Sequence, residues 1–339
     1  MKTYKKRAYD FYNNYANKTQ SELKYDLTSA LAYLYDGVNV GDGYVYVQGS
    51  IPVMLVAHMD TVHKELPKNV YFSIDFNRIK ADEGIGGDDR CGVYIIMDIL
   101  KNTSLRPHVL FVEDEEIGSV GSGKFTTQWT KEDIDIDYII EIDRKGSLDS
   151  VYYKGDNKEF ETYINEFGFT TAIGSFTDIC KLCPHLQVAG VNLSSGYYNQ
   201  HTNNEYVVIS EMLSTKNKII QMLSQYTKDT NYRHKFEWIE KVYTYVPTSY
   251  TYYNSNYDYN SYKSSDYCEY CGRLKSHLLV DEYGYNVCKD CIKEYNLQPC
   301  KECGYLTDDV DGLCSYCKKH NCSYDNTHET ENNTDKKEG

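Results

Sequence analysis

Long hydrophobic runs and an excess of basic residues are both missing from this sequence of 339 residues. No apolar stretch approaches the roughly twenty residues of a transmembrane helix, and residues 1–18 are polar rather than typical of a secretory signal. We therefore expect a soluble, cytoplasmic protein without a membrane partner. The net charge of −14 makes nucleic acid an unfavourable partner, because contacts to phosphates require lysine and arginine.

A disulfide framework is also not expected, although the chain has 12 cysteines. Eight of them form four Cys-x-x-Cys pairs near the C-terminus, in a chain without the features of a small secreted domain. The first two pairs are 16 residues apart and the last two are 10 apart, which is the spacing of Cys₄ zinc sites. We predict two structural Zn²⁺ ions in a tandem zinc-ribbon-like module, with sequential or interleaved pairing of Cys268, Cys271, Cys288, Cys291, Cys300, Cys303, Cys314 and Cys317.

The predicted zinc module has seven basic and nine acidic residues between Cys268 and Cys322. This balance argues against a phosphate-binding face. A protein partner is one interpretation of the module, and a purely structural appendage is the other. A fifth pair, Cys180 and Cys183, has no second pair nearby and is interpreted as two incidental buried thiols.

Composition divides the chain into four predicted parts. Residues 1–233 predict an α/β domain with a mixed, mostly parallel sheet sandwiched by helices. Residues 234–267 are rich in Tyr, Ser and Asn and predict a linker, because they contain too few aliphatic residues for a core. Residues 268–322 form the small cysteine-rich module, and 323–339 predict a disordered tail.

Within the α/β domain, apolar runs at 52–57, 109–112 and 138–142 predict buried strands. Thr19 and Glu22 have the spacing of a capping box, which predicts a helix beginning there. Residues 186–193 predict a further strand and residues 210–223 a further helix. The long buried strands are expected at the centre of the sheet.

Acidic and imidazole side chains follow these runs directly. His58 and Asp60 follow the first, Glu115 and Glu116 the second, and Asp143 the third. Because functional sites in open α/β sheets assemble outside the carboxyl ends of the strands, these side chains are expected to meet in one cleft. The Gly-rich segment 84–92, with adjacent Asp88 and Asp89, is expected beside them.

These residue types are suited to a two-zinc hydrolytic site. Carboxylates and neutral imidazoles bind Zn²⁺, and two ions can share a bridging carboxylate and a bridging water. Asp60 could orient His58, although a simple turn role is the alternative. One of the two adjacent glutamates would bind metal and the other would be the general base, and spacing does not separate them. The remaining ligand candidates are Asp88 as the bridge, Asp143 or its competitor Glu141, and His201.

Five of these segments, in this order, resemble the co-catalytic zinc exopeptidase superfamily of aminopeptidases and carboxypeptidases, over about residues 51–209. The matching motifs are His58-Met59-Asp60, Gly86-Gly87-Asp88-Asp89, Glu115-Glu116-Ile117-Gly118, Asp143 and His201.

The resemblance implies a phosphorylase/hydrolase-like fold and a role for each matched residue. One zinc would be held by His58, Asp88 and Asp143, and the other by Asp88, Glu116 and His201. Glu115 would be the general base, and the Asp88–Asp89 peptide bond would be cis. Asp60, which could hold the other ring nitrogen of His58, is the second predicted catalytic residue. Co²⁺ or Mn²⁺ would also suit this ligand set.

The chain lacks room for two insertions found in larger members of the superfamily. Only 57 residues separate Asp143 from His201, and 29 separate His58 from Asp88, so neither a lid domain nor a small inserted domain can be present. We expect a minimal catalytic core in which the loop 174–178 lines the substrate pocket. The predicted activity is hydrolysis of a peptide or an acylated small molecule, with an aminopeptidase-like exopeptidase preferred over a deacylase, a carboxypeptidase or an inactive adaptor.

Overall fold

The structure is a computed structural model that describes residues 2–228 and 234–241. Beyond these it describes only 266–267, 274–275, 279–280, 286–295, 297–301, 306–307, 311–313 and residue 318. The chain divides into two compact units, Met1–Thr248 and Ser249–Gly339. The finer boundaries expected at 233, 267 and 322 stay predictions.

The first unit alternates helices and strands along the chain. Its helices are α1 (Lys2–Phe11), followed by a π-helical turn (Tyr12–Ala16), α2 (Gln20–Leu34), α3 (Gly87–Asn102), α4 (Val120–Gln128), α5 (Lys158–Asn165), α6 (Ile179–Leu186) and α7 (Ile209–Lys228). Its strands are β1 (Asn39–Gly41), β2 (Tyr44–Val47), β3 (Ile51–His58), β4 (Val70–Phe72), β5 (Arg78–Ala81), β6 (Pro107–Val112), β7 (Tyr138–Arg144), β8 (Asp149–Val151), β9 (Thr170–Ala172), β10 (Gly190–Ser194), β11 (Tyr197–Tyr198) and β12 (Tyr206–Val208).

Eight of these strands form the main sheet, in the order β1-β2-β6-β3-β7-β10-β8-β9. The central strands β6, β3, β7 and β10 are parallel, whereas β2 and β8 join them in antiparallel fashion. The predicted fold class, a mixed and mostly parallel sheet between helices, is confirmed. The carboxyl ends of β3, β6 and β7 therefore lie side by side at one edge of the sheet.

Both faces of the central strands are buried, which explains the unbroken apolar runs in their sequence. Successive residues of a strand point to opposite faces. Leu55 and Phe111 thus belong to the core that contains α1, α2, α3, α5 and α7, whereas Val56 and Leu110 belong to the core on the side of α4 and α6.

The expected local elements are present, with one error. The capping box is confirmed, since Thr19 Oγ1 accepts a hydrogen bond from the Glu22 amide at 3.2 Å and Glu22 Oε2 accepts one from the Thr19 amide at 2.9 Å. The predicted strand 186–193 was wrong over its first half. Leu186 ends α6, and β10 begins only at Gly190. Residues 2–16, for which the sequence indicated no element, are helical.

A second, four-stranded antiparallel sheet in the order β11-β12-β5-β4 lies beside the carboxyl edge of the main sheet. The segment after β5 leads into the Gly84–Gly86 turns, and the connection 199–205 between β11 and β12 carries His201. This small sheet therefore supplies two of the loops that complete the cleft.

The first eight residues of the segment predicted as a linker pack against the first unit. Phe236 is 2% exposed, and Glu237 and Glu240 form bridges with Val188 and Gly155. Within the described part of the chain, every helix is too short or too polar to cross a bilayer.

The described residues of the second unit form three two-stranded ladders and one helix. These are β13 (Asp266–Tyr267) with β14 (Leu274–Lys275), β15 (Leu279–Val280) with β16 (Asn286–Val287), β17 (Gln298–Pro299) with β18 (Leu306–Thr307), and α8 (Lys289–Glu294). Three of the predicted zinc ligands, Cys288, Cys291 and Cys300, are buried. The other five, Cys268, Cys271, Cys303, Cys314 and Cys317, lie outside the described residues, so zinc binding by this unit stays a prediction, as does the tail 323–339.

Candidate metal centre

The five predicted first-unit ligands come from five segments that meet at the carboxyl edge of the main sheet. His58 is the last residue of β3, and Asp143 is the penultimate residue of β7. Glu116 follows β6, Asp88 lies where α3 begins, and His201 lies in the connection between β11 and β12. The structure brings all five together, although they are spread over more than 140 positions of the sequence.

Asp88 lies at the centre of the cluster and faces an imidazole with each carboxylate oxygen. Its Oδ1 lies 3.2 Å from Nε2 of His58, and its Oδ2 lies 3.2 Å from Nε2 of His201. Asp143 Oδ1 completes the first group at 3.5 Å from His58 Nε2, and Glu116 Oε2 completes the second at 3.1 Å from His201 Nε2. The donor atoms of each group of three lie within 4.8 Å of one another.

The irregular first turn of α3 places Asp88 and Asp89 in different surroundings. The peptide bond between them is cis, as the resemblance implied, and neither residue has helical backbone angles. Asp89 turns inward, where its Oδ1 accepts a hydrogen bond from the Gly92 amide at 2.9 Å and so caps the regular part of the helix. A Cβ atom at Gly92 would lie 2.2 Å from the Ile142 carbonyl oxygen, so only glycine lets α3 pack this closely on β7.

Asp60 connects the two sides of the cleft. Its Oδ1 accepts from Nδ1 of His58 at 3.2 Å and from the Glu115 amide at 3.0 Å, while its Oδ2 accepts from the Glu116 amide at 3.0 Å. A proton held on Nδ1 leaves the Nε2 lone pair of His58 available for a metal. Asp60 thus fixes both the tautomer of His58 and the backbone of the two glutamates.

The adjacent glutamates, which spacing alone left equivalent, occupy different positions. Glu116 faces His201, and its second oxygen, Oε1, is buried without a hydrogen-bond partner among the described residues. Glu115 belongs to neither group of three and accepts a long hydrogen bond from Ser119 Oγ, at 3.3 Å. Burial raises the pKa of Glu115 to about 8, which is the range of a group that both accepts and releases protons near neutrality.

The charge balance of the cluster suits divalent cations. Burial disfavours a charged imidazole at His201, yet Asp88 and Glu116 outweigh this effect and raise its pKa to about 11. At His58 the carboxylate of Asp143, with those of Asp60 and Asp88, likewise keeps the pKa above the ordinary value despite burial. Both imidazoles therefore lie where the surrounding carboxylates stabilise positive charge. The nitrogen and oxygen donors, together with the unpartnered oxygen of Glu116, fit Zn²⁺, Co²⁺ or Mn²⁺.

Glu141, the alternative to Asp143, lies behind the cluster. Its Oε1 accepts from Thr177 Oγ1 at 2.8 Å and from the Asp178 amide at 3.2 Å. Asp143 instead faces His58 and accepts from the hydroxyl of Tyr197 at 3.2 Å. The structure therefore places Asp143, and not Glu141, in the first group of three.

Sequence reasoning missed Glu205, which is completely buried beneath the Asp88 turn. Its Oε1 accepts from the Asp88 amide at 3.0 Å, and its Oε2 accepts from the Gly86 amide at 2.7 Å. His63 Nε2 lies 2.8 Å from the same Oε2. Glu205 thus holds the turn that presents the central carboxylate. The signal in the sequence that could have indicated this role was its position, four residues after the predicted ligand His201.

The cluster opens into a cavity of about 160 Å³. Its floor is formed by the carboxylates of the cluster, and part of its wall by Gly174, Ser175 and Phe176. The expectation that the loop 174–178 lines the pocket is therefore confirmed for these three residues. Arg144 and Lys145 add two basic side chains to the same lining.

Two further histidines and the cysteine pair predicted to be incidental lie outside the cluster. His108 Nδ1 lies 2.9 Å from the hydroxyl of Tyr46, and His185 Nε2 lies 2.8 Å from the Trp129 carbonyl oxygen. Cys183 is buried and Cys180 half-buried, and burial raises the pKa of both thiols. None of these four side chains belongs to either group of three.

Comparisons with known proteins find similarity at the level of structure. No protein-family model matches the sequence, and no curated protein does so at a significant level. Among solved structures, a tripeptidase from Staphylococcus aureus superposes with a TM-score of 0.52 at 14% identity, covering 66% of this chain and 99% of its own. The aminopeptidase PepT from Bacillus cereus superposes with a TM-score of 0.50 at 15% identity, covering 66% and 97%. At these identities the likeness establishes the fold, and the fold is that of these peptidase structures.

Proposed function

We propose that this chain is a metal-dependent hydrolase of amide bonds and, within that class, an aminopeptidase-like zinc exopeptidase. The observation that carries the proposal is the Asp88 carboxylate, whose two oxygens each lie 3.2 Å from the Nε2 atom of a different histidine. This is the arrangement expected of a carboxylate shared by two ions. The similar folds of a tripeptidase and an aminopeptidase support the peptidase interpretation.

His58, Asp88 and Asp143 would hold one ion, and Asp88, Glu116 and His201 the other. When bound, such ions supply Lewis acidity that polarises a carbonyl group and lowers the pKa of water. The chain's own part in the reaction falls to Glu115, which takes the proton from the attacking water and returns it to the leaving amine. Its half-buried position beside the cluster, outside both groups of three, is consistent with this role.

Metal content and hydrolysis, measured together on the purified full chain, test the proposal. We expect about four ions per chain, two from the carboxylate cluster and two from the predicted Cys₄ sites. The double variant His58→Ala/His201→Ala should lose the cluster's two ions. Glu115→Gln should keep all of them but lose cleavage of a mixed peptide library by about 10²–10⁴-fold, the usual contribution of a general base.

His185→Ala is the matched control, because His185 bonds the Trp129 carbonyl and lies outside the cluster. It should change neither metal content nor cleavage. If the double variant binds as much metal as the wild type, and no peptide is cleaved, the carboxylate cluster is not a metal centre. The alternative, an inactive adaptor that binds a partner through its cysteine-rich unit, would then replace the proposed enzyme activity.

A further inference from the structure

The turn that carries Glu115 and Glu116 is held at its beginning by Asp60, which accepts hydrogen bonds from both glutamate amides. The end of this turn, before α4, has a different backbone. Gly118 and Ser119 have positive φ angles, of 106° and 52°. A residue with a side chain rarely adopts this left-handed conformation, so contacts from elsewhere in the molecule must hold Ser119 there.

Lys181, in the first turn of α6, supplies contacts of this kind. Its Nζ donates to the Gly118 carbonyl oxygen and to the Ser119 carbonyl oxygen, each at 2.7 Å. Hydrogen bonds from an ammonium group are stronger than those between neutral groups. Both carbonyls are therefore directed at one cationic group, which fixes the orientation of two consecutive peptide units at the end of the turn.

The position of the Lys181 ammonium group is itself fixed by packing. The residue is half-buried, and its side chain passes α4 at Gly123, where a Cβ atom would lie 3.5 Å from Nζ and 3.9 Å from Cδ. Phe125 of α4 and Leu182 of α6 belong to the same hydrophobic core, so the two helices pack against each other. The ammonium group is therefore placed by the packing of α4 on α6.

Ser119 connects Lys181 to the glutamate at the other end of the turn. The side chain of Ser119 is completely buried, and its Oγ donates to Glu115 Oε1 at 3.3 Å. Its amide donates to the Glu115 carbonyl oxygen at 2.8 Å. The left-handed backbone at Ser119 sets the direction of its hydroxyl group. Release of the two carbonyls from Lys181 lets this backbone relax and moves Oγ away from the carboxylate.

Lys181 also contacts the wall of the cavity. Its Nζ lies 5.9 Å from the centroid of the Phe176 ring, and Phe176 lines the cavity. The Lys181 amide donates to the carbonyl oxygen of Asp178 at 2.9 Å, at the end of the loop 174–178. One residue thus joins the turn that carries the glutamates to the loop that lines the cavity.

We propose that Lys181 is a positioning residue, which holds the turn 115–119 so that the Glu115 carboxylate stays beside the metal cluster. This inference rests on the proposed function, in which Glu115 is the general base, and adds the residue that places it. The described lining of the cavity does not include Lys181. Lys181 therefore acts through the backbone of Gly118 and Ser119 and not on the substrate.

Lys181→Met keeps an unbranched side chain and removes the three N–H donors. For a single peptide that the wild type cleaves, kcat should fall by about 10- to 100-fold, the cost of a slightly misplaced reacting group, with KM unchanged. Metal content should stay at the wild-type value, because Asp60 still holds the Glu116 amide. Lys181→Arg should recover most of the rate, since a guanidinium can donate to both carbonyls.

Lys218→Met is the matched control. Lys218 is also half-buried, donates to the Gly168 carbonyl oxygen at 2.8 Å and lies 4.0 Å from the centroid of the Phe169 ring. It has the same kinds of contact as Lys181, but its carbonyl partner does not belong to the turn 115–119. Both kcat and KM should stay at their wild-type values in this variant.

A double-variant cycle separates the positioning of Glu115 from a general loss of structure. In the Glu115→Gln background, Lys181→Met should have little further effect on the residual rate, because the carboxylate that it positions is already absent. If Lys181→Met lowers kcat by the same factor in both backgrounds, or leaves kcat of the wild type unchanged, Lys181 does not act through Glu115. Either result overturns the proposal while the proposed function stands.

Hydrogen exchange of the turn, followed by mass spectrometry, tests the role of Lys181 without any cleavage. The four amides of residues 118–121 donate to carbonyl oxygens of residues 113–115. In Lys181→Met these amides should exchange about 10-fold faster or more, whereas Lys218→Met should leave them unchanged. Faster exchange would support the anchoring of the turn even if the wild type cleaved no peptide and the proposed function failed. Equal exchange in Lys181→Met and the wild type would overturn the inference.

Discussion

Asp60 offers a test of how the cluster is preorganised, because it touches both sides of the cleft without belonging to either group of three. Its carboxylate accepts from His58 Nδ1, from the Glu115 amide and from the Glu116 amide, at 3.0–3.2 Å. The substitution Asp60→Asn preserves the shape of the side chain. It replaces one acceptor oxygen by an NH₂ group, which cannot accept a hydrogen bond.

The size of the effect follows from these three contacts. The better orientation of the asparagine keeps the oxygen at the position of Oδ1 and turns the NH₂ group toward the Glu116 amide. One charge-assisted hydrogen bond is then lost, at about 1.5–3 kcal/mol, and the contact with His58 Nδ1 becomes one to a neutral acceptor. We expect metal affinity to fall by about 10- to 100-fold, the usual cost of removing a partner that orients a metal-binding histidine.

A competition titration with a chromophoric chelator measures this change near neutral pH. Asp82→Asn is the control, since Asp82 is exposed and accepts from the Tyr71 hydroxyl, away from the cluster. Thermal unfolding of both metal-free proteins checks that the fold is intact. If Asp60→Asn binds metal as tightly as the wild type, the contacts of Asp60 do not prepare the site and the reasoning fails.

Three further predictions concern stability. Glu205→Gln should lower the free energy of unfolding by about 2–3 kcal/mol, because a buried acceptor of the Asp88 and Gly86 amides loses its charge and one acceptor oxygen. Denaturant unfolding measures this change, and an unchanged midpoint would contradict the prediction. Burial lowers the pKa of His108 from 6.5 to about 4, so the unfolded chain binds the proton first as pH falls. The contribution of neutral His108 to the free energy of unfolding is therefore complete above pH 6.5 and is lost toward pH 4, by about 3 kcal/mol. In His108→Gln the free energy of unfolding should depend less steeply on pH over this range. An identical slope in the variant and the wild type would refute this. Thr19→Ala should cost about 1 kcal/mol through loss of the α2 capping box, whereas Thr127→Ala, in the exposed last turn of α4, should cost less.

The sequence predicted the central sheet well, because a strand buried on both faces has an uninterrupted apolar sequence. Residues 52–57 and 109–112 are apolar without alternation, which only a doubly covered strand requires. The polar residues directly after such strands were then expected at one edge. Helix α1 was not predicted, because its sequence is basic and tyrosine-rich and its helicity depends on packing of Ala8 and Phe11 against the core.

Residues that act through backbone contacts were harder to foresee. Glu205 works by accepting amide hydrogen bonds from a turn more than 115 positions earlier in the chain. A contact of this kind leaves no periodic pattern, since neither its distance along the sequence nor its partner's side chain is fixed. A different reason hid the end of α6 at Leu186, where the apolar spacing suits a helix and a strand equally.

The sequence by itself determined that His58, Asp143 and the two glutamates would gather at the carboxyl edge, because parallel strands align their ends and these residues follow the buried runs. Only the tertiary structure decided which partner each of these side chains faces. It turned Asp88 toward both histidines, Glu116 toward His201, and Glu115 toward neither. It also placed Arg144 in the cavity wall. The direction of each side chain depends on how segments that are distant in the sequence pack together. The spacing of residues along the sequence does not contain this information.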